Sequence, residues 1–380
     1  MKKMRAVFVG IGLLLLGSLC GCVQVKAEEP AGIPGKTMEI SFITIGKGDA
    51  FLLKMPEGSY YMYDTGKKED FEQIQKVLEQ KKVTSLKGIF LSHGHKDHAG
   101  NLKNLLEEYL VETVYISEKD QASYGKIDVE KITKDFDTTL VLLQGGEKLS
   151  LEGAEAKVWI PKTCDFRNAN NNSVIIRFSY GKNSCLMTGN MEYGEEAAYL
   201  RSGEACKTDI LKLGHHGESD ATSVAFLEKV KPDYGWITGS EEKNPDSVNE
   251  EIAARLEAFE TEAFYSEGEQ LAWDFVLDGE NITISSTNRT NHGCTFKCSY
   301  NKTRRMDDRT EHWGSTFVCS NHAGCLPPGK WCRVLSAPIC GNFNCPCFDF
   351  YDFDGLDSIE SGTFPWYAGF LVYRKIQEQH

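Results

Sequence analysis

The sequence predicts an α/β fold, and three observations carry that prediction. Short apolar runs alternate along the chain with segments whose apolar residues repeat at helical spacing. Turns rich in glycine, asparagine and proline separate them. One apolar run, Ile89-Phe90-Leu91, feeds directly into Ser92-His93-Gly94-His95-Lys96-Asp97-His98, which sets three imidazoles and a carboxylate on a strand-to-helix turn.

The chain opens on a basic stretch, Met1 to Arg5, followed by an apolar run from Ala6 to Leu16. That run is short for a membrane span, so residues 1–22 read as a signal peptide. Leu19-Cys20-Gly21-Cys22 resembles a bacterial lipobox with Cys22 as the acylated residue. The expected location is therefore the extracellular face of the cell membrane, lipid-anchored; the alternative is a secreted protein cut near Ala27. Residues 23–37, with Pro30, Gly32, Pro34 and Gly35, read as a tether.

From Met38 the text alternates. Ile40 and Phe42, then Phe51 and Leu53, bracket Gly46-Lys47-Gly48-Asp49, and a strand from Tyr60 to Tyr63 follows the turn at Pro56-Glu57-Gly58. Asp64 ends that strand. Phe71, Ile74, Val77 and Leu78 mark an amphipathic helix. After the histidine-rich turn, Ala99 to Leu110 is predicted as one helix, with Leu102, Leu105, Leu106 and Tyr109 on one face. Val111 to Ile116 returns as a strand, whereas 118–137 is polar and shows no clear period.

Further strands are predicted at Leu140 to Leu143, Ala156 to Ile160, Val174 to Phe178, Cys185 to Met187, Tyr234 to Ile237, Leu271 to Val276 and Ile282 to Ile284. Helices are predicted at Glu195 to Arg201, Ser223 to Val230 and Asn249 to Phe259. The stacked residues Asn170-Asn171-Asn172 read as turn formers. Together these elements define a domain over 38–285.

Residues 286–380 differ in character. Ser, Asn, Thr and Cys dominate, and eight of the 13 cysteines crowd between Cys294 and Cys347. They do not form a repeated C-x-x-C set, so a zinc ribbon is not indicated. An even number in an exported chain fits a disulfide module, and this Cys-rich tail is of unknown fold. The net charge of −13 argues against a long duplex-DNA groove, which needs Lys and Arg on phosphates, so charge does not support a nucleic-acid partner. A phosphate ester held by bound metal ions is not excluded, because the ions bring their own charge.

Three imidazoles and a carboxylate at this spacing form a donor set that suits zinc, one or two ions, with manganese or iron also served. H-x-H-x-D-H is joined, in order, by Thr44-Ile45-Gly46-Lys47-Gly48-Asp49-Ala50, Asp64-Thr65-Gly66, Asn171-Asn172-Ser173-Val174, Met187-Thr188-Gly189-Asn190 and Leu213-Gly214-His215-His216-Gly217. This series resembles the ComEC-type branch of the metallo-β-lactamase superfamily, the hydrolase-like domain of DNA-uptake competence proteins. The likeness runs from about Met38 to Ile284.

The resemblance implies a four-layer α/β/β/α sandwich. It implies His93 and His95 on one metal, and Asp97, His98 and one of the late histidine pair on the other; His216 is the expected ligand. Asp97 and His215 are the expected catalytic residues, His215 facing the substrate or supporting the ligands, and Asp64 orients the ligands from behind. Asn190 stands where relatives carry a bridging Asp. No histidine lies between His98 and His215, where a further ligand is expected, and Thr44 replaces an Asp. Three readings follow: an exported hydrolase of phosphodiesters or another small ester (nuclease-like or phosphorylcholine-esterase-like), a non-catalytic surface lipoprotein that binds through the same fold, and, last, a β-lactamase.

Overall fold

The computed structural model describes residues 35–122, 127–242, 245–247 and 249–288, together with the backbone of three tail strands, Phe296–Asp307, Thr310–Asn321 and Cys332–Val334. The expected signal peptide, Cys22 and nearly all of the tether lie outside the described residues.

Two mixed sheets face each other. From one side, the first runs Ile282–Asn288, Gln270–Leu277, Met38–Ile43, Ala50–Lys54, Tyr60–Thr65, Gly88–Phe90, Thr113–Ser117 and Thr139–Leu143. The second runs Glu262–Tyr265, Tyr234–Ile237, Ile210–Lys212, Asn183–Met187, Ile175–Tyr180, Ala154–Trp159 and Lys148–Leu151. Between them lies an aromatic core in which Phe42, Phe51, Phe90, Phe178, Trp236 and Phe275 are all fully buried. Phe51 stacks on Trp236 at 5.3 Å between ring centroids, and Trp236 meets Phe275 edge-on at 4.8 Å.

Each sheet has a second apolar face, and each face carries helices. Ile74, Val77 and Leu78 of Phe71–Gln80, and Leu102 and Leu105 of Leu102–Glu108, pack with Leu52, Met62 and Ile89 of the first sheet. On the other side Tyr199, Phe226, Leu227, Ile252 and Leu256 pack with Leu186, Leu211 and Ile237. Three apolar interfaces separate four layers, so the architecture is α/β/β/α.

The predicted helix from Ala99 to Leu110 is instead two, Lys96–Ala99 and Leu102–Glu108. The break has a tertiary cause. Gly100 N–H donates to Gly66 O at 3.0 Å, and the Asn101 side-chain amide donates to Thr65 O at 2.9 Å, so the backbone is pinned to the end of the Tyr60–Thr65 strand. A Cβ on Gly100 would lie 2.7 Å from Gly66 O. The polar stretch 118–137 contains two short helices, Glu118–Ala122 and Val129–Asp135; the Asp128 carboxylate caps the second by accepting from Lys131 N at 2.9 Å. Lys148–Leu151 and Glu262–Tyr265 are edge strands of four residues each, too short for a pattern to stand out in the sequence. The strand from Ile282 runs to Asn288, past the expected domain end at 285, and pairs at Ile284 and Ser285 with the first tail strand.

One buried group bears on stability. Glu195, on the helix Tyr193–Arg201, has neither carboxylate oxygen hydrogen-bonded among the described residues. Burial, then the nearby Glu192, Glu196 and Asp165, push its pKa well above the ordinary value. A carboxyl raised on folding costs nothing below its unfolded pKa and progressively destabilises the fold as pH rises toward its folded value. Glu195→Gln is therefore expected to leave the melting temperature at pH 4 unchanged and to raise it by several degrees at pH 8, as read by thermal denaturation.

Candidate metal centre

The site forms where strands of both sheets end on one side, the usual place for function in open α/β sheets. The loop at 44–49 follows Met38–Ile43, Asp64 closes Tyr60–Thr65, and the histidine-rich turn follows Gly88–Phe90. From the second sheet, 188–190 follows Asn183–Met187, the double histidine follows Ile210–Lys212, and Thr238 follows Tyr234–Ile237.

Asp64 is held in the left-handed region at φ 54°, uncommon for a residue with a side chain, which turns its carboxylate under the histidine turn. There Oδ1 accepts from Ser92 N at 2.7 Å, and Oδ2 accepts from Ser92 Oγ at 2.7 Å and meets His98 Nδ1 at 2.8 Å. Burial raises the Asp64 pKa against the opposing pull of His98. With Nδ1–H directed to Asp64, the free lone pair of His98 is on Nε2, a fully buried atom with no hydrogen-bond partner among the described residues.

His216 is arranged the same way. Its Nδ1 meets Thr238 Oγ1 at 3.0 Å and Asp49 Oδ1 at 3.3 Å, while its buried Nε2 has no hydrogen bond among the described residues and lies 3.3 Å from Asp97 Oδ2. Consecutive left-handed residues, His215 at φ 44° and His216 at φ 60°, send the two rings apart: His216 lies 5.1 Å from the His98 ring and 6.1 Å from that of His215.

The early quartet and His216 therefore converge. His93 is 4.2 Å from His98 and 4.6 Å from His95 between ring centroids, and His93 Nε2 lies 3.0 Å from His95 Nδ1. Burial, then His98 and His95, push the His93 pKa well below the ordinary value, which keeps the imidazole neutral and able to donate a lone pair. Burial alone would lower His98 too, but Asp49, Asp64 and Asp97 outweigh it and raise its pKa. Asp97 beside His216 Nε2, with the buried His98 ring 5.1 Å from that of His216, calls for positive charge at this point.

Asn190 is buried near the wall formed by Asn170. Its Oδ1 has no hydrogen-bond partner among the described residues, and its amide nitrogen donates to Asn170 Oδ1 at 3.4 Å. His215 sits at the mouth: Nδ1 meets Asp220 Oδ1 at 2.8 Å, and Nε2 faces Asn170 Nδ2 at 3.3 Å. Asn170 also donates to Glu192 Oε1 at 2.9 Å, so the asparagine run forms part of the site wall as well as a turn.

Sequence reasoning assigned no role to Asp49 or Lys212. Lys212 Nζ lies 2.6 Å from Asp49 Oδ2 and donates to Gly189 O at 2.6 Å, with both side chains fully buried. Although burial pushes Asp49 upward, Lys212, His98 and His216 together hold its carboxyl well below the usual range. Asp49, His98 and His216 form one potential metal-binding group, but the Asp49 oxygens lie on the Nδ1 side of both rings, at 3.5 and 3.3 Å. Asp49 therefore backs the imidazoles, and Asp97 lies on the Nε2 side of His216. A lysine inside the apolar run Ile210-Leu211-Lys212-Leu213 was the signal that could have found this pair.

Two buried imidazole nitrogens with no hydrogen bond among the described residues, a carboxylate beside one of them and an amide oxygen likewise without one fit a divalent cation. If Asp64 fixes the His98 tautomer, Asp64→Asn is expected to weaken metal binding about 10- to 100-fold, measured by competition with a chromogenic chelator.

The chain is 23% identical over 236 residues to ComE operon protein 3 of Bacillus subtilis, a match covering 58% of this chain and 30% of that protein. It is 29% identical over 244 residues to Recombination protein 2 of Haemophilus influenzae, covering 62% and 28% respectively. The chain thus spans under a third of the length of these relatives. Among solved structures, the metallo-beta-lactamase fold protein YhfI from Bacillus subtilis aligns with a TM-score of 0.45 and 13% identity, over 63% of this chain and 99% of that one. Residues 43–239 match the model of one family, and the chain belongs to the metallo-beta-lactamase superfamily, with homologues of the ComEC type.

Proposed function

We propose that this protein is a metal-dependent hydrolase of phosphodiester bonds, and that Cys22 carries a lipid which holds it on the outer face of the cell membrane. The observation that carries the catalytic reading is the pair of stranded nitrogens, His98 Nε2 and His216 Nε2, beside Asp97. These three would hold one divalent cation, zinc or alternatively manganese or iron, and His93 and His95 would hold a second. When bound, such ions supply Lewis-acid polarisation of the phosphoryl oxygen and lower the pKa of water.

The chain's own residues do the rest. Asp64 and Asp49 keep the Nδ1 protons of His98 and His216 in place, so the lone pairs stay on Nε2. Asp220 accepts from His215 Nδ1–H, which leaves Nε2 at the mouth able to take a proton and return it to a leaving group. Asn170 fixes the ring from the Nε2 side. Asn190 is the weak point: an amide brings no negative charge to offset two cations.

Two measurements test this reading. The full chain is expected to hold about one zinc per molecule, and Asn190→Asp to raise both metal content and turnover of a chromogenic bis-aryl phosphodiester; absence of metal from both forms would instead favour a binding protein. Cys22→Ser is expected to release the exported protein from membranes, read by fractionation; retention would exclude the lipid anchor.

A further inference from the structure

The walls of this site are acidic. Asp49, Asp64 and Asp97 lie around the histidines, and Glu192, Glu218 and Asp220 surround His215 at the mouth, with carboxylate oxygens 3.8, 3.6 and 2.8 Å from its Nδ1. An anionic substrate at such a mouth meets these carboxylates, and a protein cation there would offset them alongside any bound metal ion. Lys212 cannot serve, being fully buried against Asp49 and Gly189 O.

Lys47 can. It stands between two glycines in a loop whose backbone is pinned on both sides of it: Gly46 N–H donates to Ser266 O at 2.8 Å, Gly48 N–H to Thr238 O at 3.1 Å, and Asp49 N–H to Asp97 O at 3.0 Å. The loop thus lies directly against Asp97, and a Cβ on Gly48 would be 3.2 Å from the Asp97 carbonyl oxygen. From this fixed base the Lys47 side chain reaches Glu218 Oε1 at 2.6 Å. Glu218 follows the double-histidine loop, and its other oxygen is 3.6 Å from His215 Nδ1. The ion pair therefore ties the Asp97 side of the site to the His215 side. Both side chains keep about a fifth of their surface open, 18% and 21%.

We infer that Lys47 is the specificity residue for the substrate's anionic oxygen, and that Glu218 holds its ammonium until a phosphodiester replaces the carboxylate. The exchange moves one flexible side chain and breaks no covalent bond. A phosphodiester anion offers the ammonium a charge-assisted hydrogen bond of the kind Glu218 provides, whereas an uncharged ester does not. The inference takes its substrate class from the hydrolase reading, but binding can be measured without turnover.

The test is equilibrium binding of dimethyl phosphate to the metal-loaded full chain by calorimetry, with melting temperature and metal content recorded for every variant. Lys47→Ala is expected to weaken binding roughly tenfold, Lys47→Arg to retain most of it, and Glu218→Gln to tighten it severalfold. Lys96→Ala, which removes an exposed lysine of the histidine turn, is expected to change it by less than about twofold. Unchanged binding in Lys47→Ala, an equal loss in Lys96→Ala, or no binding by the unaltered chain would each overturn the inference. Lys47-dependent binding without turnover would defeat the hydrolase reading and leave this one standing. Turnover of the diester that is indifferent to Lys47 would do the reverse. Running a dinucleotide beside a glycerophosphoryl ester separates a nucleic-acid from a lipid-headgroup source of the same group.

Discussion

The Asp64 carboxylate is the contact on which this site depends. It is fully buried, sits on a left-handed residue and receives Ser92 through both backbone and side chain while facing His98 Nδ1. Removing a carboxylate from water is costly unless hydrogen bonds and opposite charge replace the solvent. Here Ser92 and His98 supply hydrogen bonds, which offset part of the burial that raises the Asp64 pKa, and the same contacts position the histidine turn. The interaction that makes Asp64 tolerable is thus the one that aims His98 Nε2 into the concavity.

A similar exchange recurs on the other sheet. Asp49 and Lys212 are a buried ion pair, and their partners tie three loops together: Asp49 to His216, Lys212 to Gly189, and the Asp49 amide to Asp97. Charge that would be a liability in an apolar core becomes a clamp between loops from two sheets. The aromatic core beneath, with Trp236 in contact with both Phe51 and Phe275, keeps those sheets in fixed relation. Loop positions set by a rigid scaffold are what a multi-residue metal centre needs.

Asn190 fits the geometry but changes the electrostatics. Its amide oxygen lies buried and unpartnered among the described residues, held by contacts to Ser173 and Asn170. A carboxylate there would add another negative charge to the acidic groups around the histidines. The acidic mouth, with Glu192, Glu218 and Asp220 about His215, makes charge balance the central issue for any anionic ligand.

What the sequence by itself determined is the local chemistry: alternation gave the central strands, and H-x-H-x-D-H placed His93, His95, Asp97 and His98 on one turn, because ligands close in sequence need only a strand and a helix start to converge. Asp64 and His216 came from resemblance, since their meeting with that turn spans residues far apart in the chain. Only the tertiary structure decided that His216 and not His215 joins His98, through consecutive left-handed residues that no propensity predicts. It alone paired Lys212 with Asp49 across two sheets and broke the helix after Ala99 by docking Gly100 and Asn101 on the neighbouring strand end. Those outcomes depend on which buried polar groups find partners, a property of the packed molecule that no stretch of sequence contains.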